Sequence, residues 1–156
     1  MPSTVLAELS YDAAIRALDL QERAVEQLRA RTGTLLAASS LTATFLGAQA
    51  VQHTNGLDTV GVLALLSLTS SISLCVYILS PKGDFVFSVN ALKMYEDLFE
   101  FADENEVRRR LIYWLDEFWQ SNQDKLNSLD RYYLSATLAL MLQLIFWSLT
   151  LTDIIV

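Results

Sequence analysis

Residues 29–51 read RARTGTLLAASSLTATFLGAQAV. Two arginines, Arg29 and Arg31, open the stretch, and the next Lys or Arg is Lys82. A chain with 11 basic residues that places none in 32–81 is keeping cations out of some environment. A bilayer crossed twice is the simplest such environment.

Working outward from there, three stretches lack any Asp, Glu, Lys, Arg or His: 34–51, 60–79 and 133–151, each 18 to 20 residues long. At about 1.5 Å per residue that is roughly 27–30 Å, close to the hydrocarbon thickness of a membrane. The first is the most dilute, because Thr34, Ser39, Ser40, Thr42, Thr44 and Gln49 interrupt it. Composition agrees: 53% of the 156 residues are hydrophobic and 19% are charged, against about a quarter charged in soluble domains. A soluble bundle of three buried helices is the alternative, but core helices usually keep a polar stripe or run only about 10–14 apolar residues.

Charge placement then orients the spans. Arg16, Arg23, Arg29 and Arg31 precede the first, the remaining basic residues lie between Lys82 and Arg131, and 52–59 and 152–156 have none. Basic loops stay cytoplasmic. The expected layout is therefore an all-α inner-membrane protein with its N-terminus cytoplasmic and its C-terminus external. It has a cytoplasmic amphipathic helix over 1–33, spans at 34–51, 60–79 and 132–152, an external loop at 52–59, a cytoplasmic helical region at 80–131 and an external tail at 153–156. Glu8, Asp12, Arg16, Asp19, Glu22, Arg23 and Glu26 leave no room for a signal-peptide core, so the first span is expected as an uncleaved anchor.

The helix over 5–31 carries Tyr11, Ile15, Leu18, Val25 and Leu28 at helical spacing, interrupted by Glu22, and no proline separates it from the first span. Pro81-Lys82-Gly83-Asp84 is a stop, and Phe85, Val86 and Phe87 suit the membrane interface. Asn90 caps a short expected helix with Ala91, Leu92, Tyr95 and Leu98 on one face. Asp103-Glu104-Asn105-Glu106 has the form of a capping box. Behind it Val107, Leu111, Trp114, Leu115, Phe118 and Leu126 make an apolar stripe. Ser121-Asn122-Gln123 is a place for the helix to loosen. Two such amphipathic helices are expected to pack together as a small antiparallel bundle.

Within the spans, Gly33, Ala37, Ser40, Thr44 and Gly47 or Ala48 share one face, Ser67, Ser70, Ser71 and Ser73 cluster in the second, and Gln143 sits near the middle of the third. Small residues let helices approach closely in lipid, where hydrophobicity supplies no drive, and an intramembrane amide needs partners. Helix packing and the lining of a pore both remain open for Ser40, Thr44, Gly47, Ser67, Ser71 and Gln143. No charged group lies in a span, which argues against a proton relay or voltage sensor.

Chemistry is sparse. The net charge of −7 excludes a general nucleic-acid binder. Cys75 and His53 are single, so neither a disulfide nor a zinc site follows, and His53 reads as a surface residue. No phosphate loop or nucleophile elbow is present, so neither catalysis nor a cofactor is expected. Arg108-Arg109-Arg110 is the local basic cluster, its members pointing to different sides of a helix. With Arg29 and Arg31 it is a candidate for anionic lipid or a nucleotide, or for pairing with Glu96, Asp97 and Glu100.

The order of parts (LRARTGTLLAASSLTATFLG, a second span, YILSPKGDFVFS, then RRRLIYWLDEFWQSNQDKL running into a last span) resembles a group of small bacterial multi-span membrane proteins. More distantly it is similar to the SLATT and Pycsar transmembrane effector domains of bacterial conflict systems, which typically have two spans. That resemblance implies a nucleotide-triggered, membrane-disrupting effector acting by oligomerisation. Two readings follow: a self-associating effector or channel-like module, or a non-catalytic anchor holding a cytoplasmic protein. Both expect a homo-oligomer in the bilayer.

Overall fold

A computed structural model of the chain describes residues 2–53, 59–81, 85–88 and 103–155. Within these residues it is helical, with no strand: α1 (Pro2–His53), α2 (Thr59–Leu79) and α3 (Glu104–Ile155). The expected helix around 90–98 and the loop at 54–58 lie outside the described residues. α1 and α3 each run 52 residues without interruption. The expected loosening at Ser121-Asn122-Gln123 is not there, because Asn122 turns into a buried seam.

Among the described residues two helices are long and apolar enough to cross a membrane, α2 and the later part of α3. Residues 50 and 51 close the expected first span, and their side chains lie outside the described ones.

The chain divides into two compact units, one formed by 1–26 with 82–127 and the other by 27–81 with 128–156. In the first unit α1 and α3 lie side by side and run parallel. Glu8 meets Arg108 at 3.9 Å, and Gln21 donates to the Trp119 carbonyl and to Gln123 Oε1, both at 3.0 Å, so numbers rise together along the two helices. This corrects the expected antiparallel bundle. The reason is α2, which lies between them in the chain and runs the other way, so the chain has reversed twice by the time it enters α3. Leu18, Val25, Leu111 and Leu115 form the core, with Gln21 and Asn122 buried among them.

At the start of α3, Asp103 is the N-cap. Its carbonyl accepts from Glu106 and Val107 at 3.1 Å, and its carboxylate accepts from the Asn105 amide at 3.2 Å. The reciprocal half of the capping box is absent, because the Glu106 carboxylate turns forward to Arg109 and Arg110. Phe85 and Phe87 stack at 5.6 Å between ring centres. Asn122 holds Val86 between them at both main-chain ends, accepting from its N–H at 3.1 Å and donating to its carbonyl at 2.8 Å.

In the second unit three helical segments pack together. α1 and α3 again run parallel, Ser39 by Gln143 and Gly47 by Trp147, and α2 runs the other way, Cys75 lying with Leu35 and Ala64 with Trp147. Buried positions follow a seven-residue period in every helix. The repeating set is Leu18, Gln21, Val25, Leu28, Thr32, Leu35 and Ser39 on α1, Ala64, Ser71 and Ile78 on α2, and Leu115, Asn122, Leu129, Ala136, Gln143 and Thr150 on α3, with Gly61, Cys75, Leu111 and Trp147 also buried. That is the period of coiled-coil seams.

Candidate functional site

One buried polar side chain from each helix of the second unit, Ser39, Ser71 and Gln143, meets the others at its centre. Ser39 and Ser71 hydroxyl oxygens lie 3.2 Å apart, and Ser71 Oγ is 3.3 Å from the Ala136 carbonyl oxygen. With the Ser71 proton on that carbonyl, Ser39 is the donor to Ser71. Gln143 Nε2 donates to the Ser39 carbonyl at 3.1 Å. Ser39, Ser71 and Gln143 are each 0% exposed, so one hydrogen-bonded knot joins all three helices in an otherwise apolar core. Below the knot Leu35, Cys75 and Ala136 cluster with Leu36, Leu74, Tyr133 and Leu140, and above it Ala64 and Trp147 with Leu46 and Phe146. Gln143 Oε1 and, one turn on, Trp147 Nε1 are buried without a hydrogen-bond partner.

Of the residues singled out from sequence, the structure brings together Ser71 and Gln143. Ser40 and Thr44 face outward, each hydroxyl returning to the carbonyl four residues earlier, Leu36 and Ser40, at 2.9 Å. Ser67 likewise donates to the Leu63 carbonyl at 2.9 Å. Such back-bonding satisfies a hydroxyl within its own helix. Gly47 has a separate role: a Cβ there would stand 3.3 Å from the Trp147 ring, so the glycine makes room for the indole. A Cβ at Gly33 would meet nothing within 4 Å. Ser39, Thr32, Asn122 and Trp147 were missed as packing residues. The signal that would have found them is the seven-residue spacing that links Asn122 to Gln143 and Thr32 to Ser39.

The arginine cluster is occupied by its own helix. Arg108 pairs with Glu104 at 2.7 Å, Arg109 with Glu106 at 2.6 Å and Arg110 with Glu106 at 3.5 Å. Glu96, Asp97 and Glu100, the partners suggested by sequence, lie outside the described residues. Exposed pairs of this kind contribute about 0.3–0.5 kcal/mol each, but they leave no converged trio for a phosphate. Arg31 is exposed, whereas Arg29 is half-buried with its Nε unpartnered. On the same unit, Tyr77 and Tyr132 meet edge to face, 4.9 Å between ring centres, as interfacial aromatics do. Among the described residues no group of three or more His, Cys, Asp or Glu is placed to hold a metal. Set beside known proteins, this chain matches no family, no curated protein and no solved structure.

Proposed function

We propose that the chain is an integral membrane protein with three spans, N-terminus cytoplasmic and C-terminus external, that works as a self-associating effector or channel-like module of a bacterial defence system. The observation that carries the membrane reading is the distribution of side chains in the second unit. Leu41, Phe45, Leu66, Val76, Leu134, Leu138, Met141 and Ile145 are exposed, while Thr32, Ser39, Ser71, Gln143 and Thr150 are buried. Water would favour the opposite arrangement, whereas hydrocarbon rewards it. The buried knot also supports a third span through α1, since it turns Ser39, one of the polar residues that dilute 34–51, inward.

Self-association is supported by the uncovered face of α1, where Ala37, Ser40, Thr44 and Ala48 remain exposed. These are small residues of the kind that pack between helices in lipid. A polar path within one chain is not supported, because the inward hydroxyls of Thr32, Ser39, Ser71 and Thr150 are each given to a main-chain carbonyl or to one another. Conduction therefore needs several copies, with Ser40, Thr44 and Ser67 turned toward a common axis.

Topology is tested by impermeant thiol labelling of intact cells in a Cys75→Ala background. Asn55→Cys is expected to label from outside and Ser121→Cys, at an exposed position of α3, only after permeabilisation; the reverse pattern would overturn the orientation. For activity, purified protein in liposomes is expected to release ions once assembled. A tight vesicle together with stable recovery of a soluble partner would favour the anchor reading instead.

A further inference from the structure

In the first unit a groove of about 450 Å³ runs beside the α1–α3 seam, lined by Ser10, Ala14, Ala17, Ile112, Asp116 and Trp119. A second groove of about 450 Å³ extends it past Leu6 to Arg109. Leu6, Leu9 and Leu20 on α1 and Tyr113 and Trp119 on α3 stand exposed in the same unit, Tyr113 at 69%. Among the described residues of this unit two helices share a single seam, and this flank is the surface that further helices would cover.

We infer that a second copy of this chain covers it, the two copies lying side by side and parallel, with α1 of each against α3 of the other about a twofold axis along the helices. This rests on the self-association proposed above and names its surface outside the membrane. The argument is charge complementarity. Gln21 bonds across the seam to residues 98 and 102 positions later, so a residue of α1 stands level with the α3 residue about 100 further on. Arg16 is therefore level with Asp116, and Asp12 lies within one turn of Arg109.

At helical spacing, Asp12 and Arg16 edge the Leu9–Ala13–Leu20 side of α1, while Arg109 and Asp116 line the grooves on the α3 side. The two edges thus read negative–positive and positive–negative from the same height. In the proposed dimer opposite charges meet, and symmetry makes each contact twice. Packing α1 on α1 would oppose Arg16 to Arg16, and inverting one copy would lose the match in height. Two molecules inserted alike in one bilayer already share the required direction. Ala13 and Ala17 leave room for close approach, and Arg16 is exposed.

The test uses the full chain in mild detergent, read by mass photometry. Arg16→Asp and Asp116→Arg are each expected to raise the dimer dissociation constant about tenfold, and the doubly exchanged chain to return within about threefold of wild type. In a Cys75→Ala background, one tagged chain carrying Ala13→Cys and a differently tagged chain carrying Tyr113→Cys are expected to form a mixed disulfide on oxidation. A monomeric wild type would overturn both this interface and the self-association beneath it. An oligomer in which the exchange fails to rescue and the mixed disulfide does not form overturns this interface alone, leaving the Ser40 and Thr44 face as the contact.

Discussion

Gln143 reaches across to α1 and donates to the main-chain oxygen of Ser39 at 3.1 Å, while its own Oε1 is buried without a partner. The amide is thus half satisfied. Interhelical hydrogen bonds in membrane proteins average about 0.6 kcal/mol, and removing an unpaired acceptor from the core relieves part of that loss. Gln143→Leu is therefore expected to shift stability by less than about 1 kcal/mol. Unfolding in mixed micelles measures it; a loss above about 2 kcal/mol would mean that the amide holds the three helices together.

Gly47 and Ser40 lie on the same helix but predict different failures. Gly47→Leu drives a side chain into the Trp147 ring, already 3.3 Å from the nearest position a Cβ would take, and should cost the single chain about 1–3 kcal/mol. Ser40→Leu faces outward and should leave the single-chain fold within about 0.5 kcal/mol while weakening the oligomer. Comparing unfolding midpoints with oligomer fractions separates the two. Equal effects on both readouts would refute the assignment.

Within the first unit Asn122 is the point on α3 that fastens the segment 85–88. Asn122→Ala removes both bonds to Val86 and is expected to cost about 1–3 kcal/mol, with faster exchange of the Val86 amide. Ser121→Ala, one position away and exposed, should change neither. Unchanged Val86 exchange in the Asn122 variant would show that the contact does not persist in solution.

Loss of the α3 cap is the simplest measurement. Asp103→Ala leaves the Asn105 amide without its side-chain acceptor and should cost about 0.5–2 kcal/mol, whereas Asp103→Asn should retain most of the stability. Exchange rates across 105–108 report it directly.

The helices and the water-avoiding stretches were legible because they rest on absences that a sequence displays plainly: no charge in 60–79 or 133–151, no proline in α1 after Pro2 at its start. The seam was not legible as a hydrophobic stripe. Three of its seven steps on α1 and three of the six on α3 are filled by Gln21, Thr32, Ser39, Asn122, Gln143 and Thr150, so apolar periodicity alone traces only part of it. Glu22 seemed to break the stripe on α1 because Gln21, beside it, is the residue that turns inward. The inward and outward hydroxyls were not separable in the sequence for a related reason. Ser39 and Ser40 are adjacent and chemically identical, and the packing partner that distinguishes them, Gln143, is 104 residues from Ser39.

That separation has a consequence for how the protein is made. Ser39 leaves the ribosome long before Gln143 exists, and at about 5–20 residues per second the interval is on the order of 5–20 seconds. Once Ser71 has followed, α1 and α2 have each other, through Ser39 and Ser71, but neither Ala136 nor Gln143. The nascent chain must therefore be held as an incomplete hairpin, and whatever holds it has to accept a helix face bearing Thr32 and Ser39 and release it when the last helix arrives.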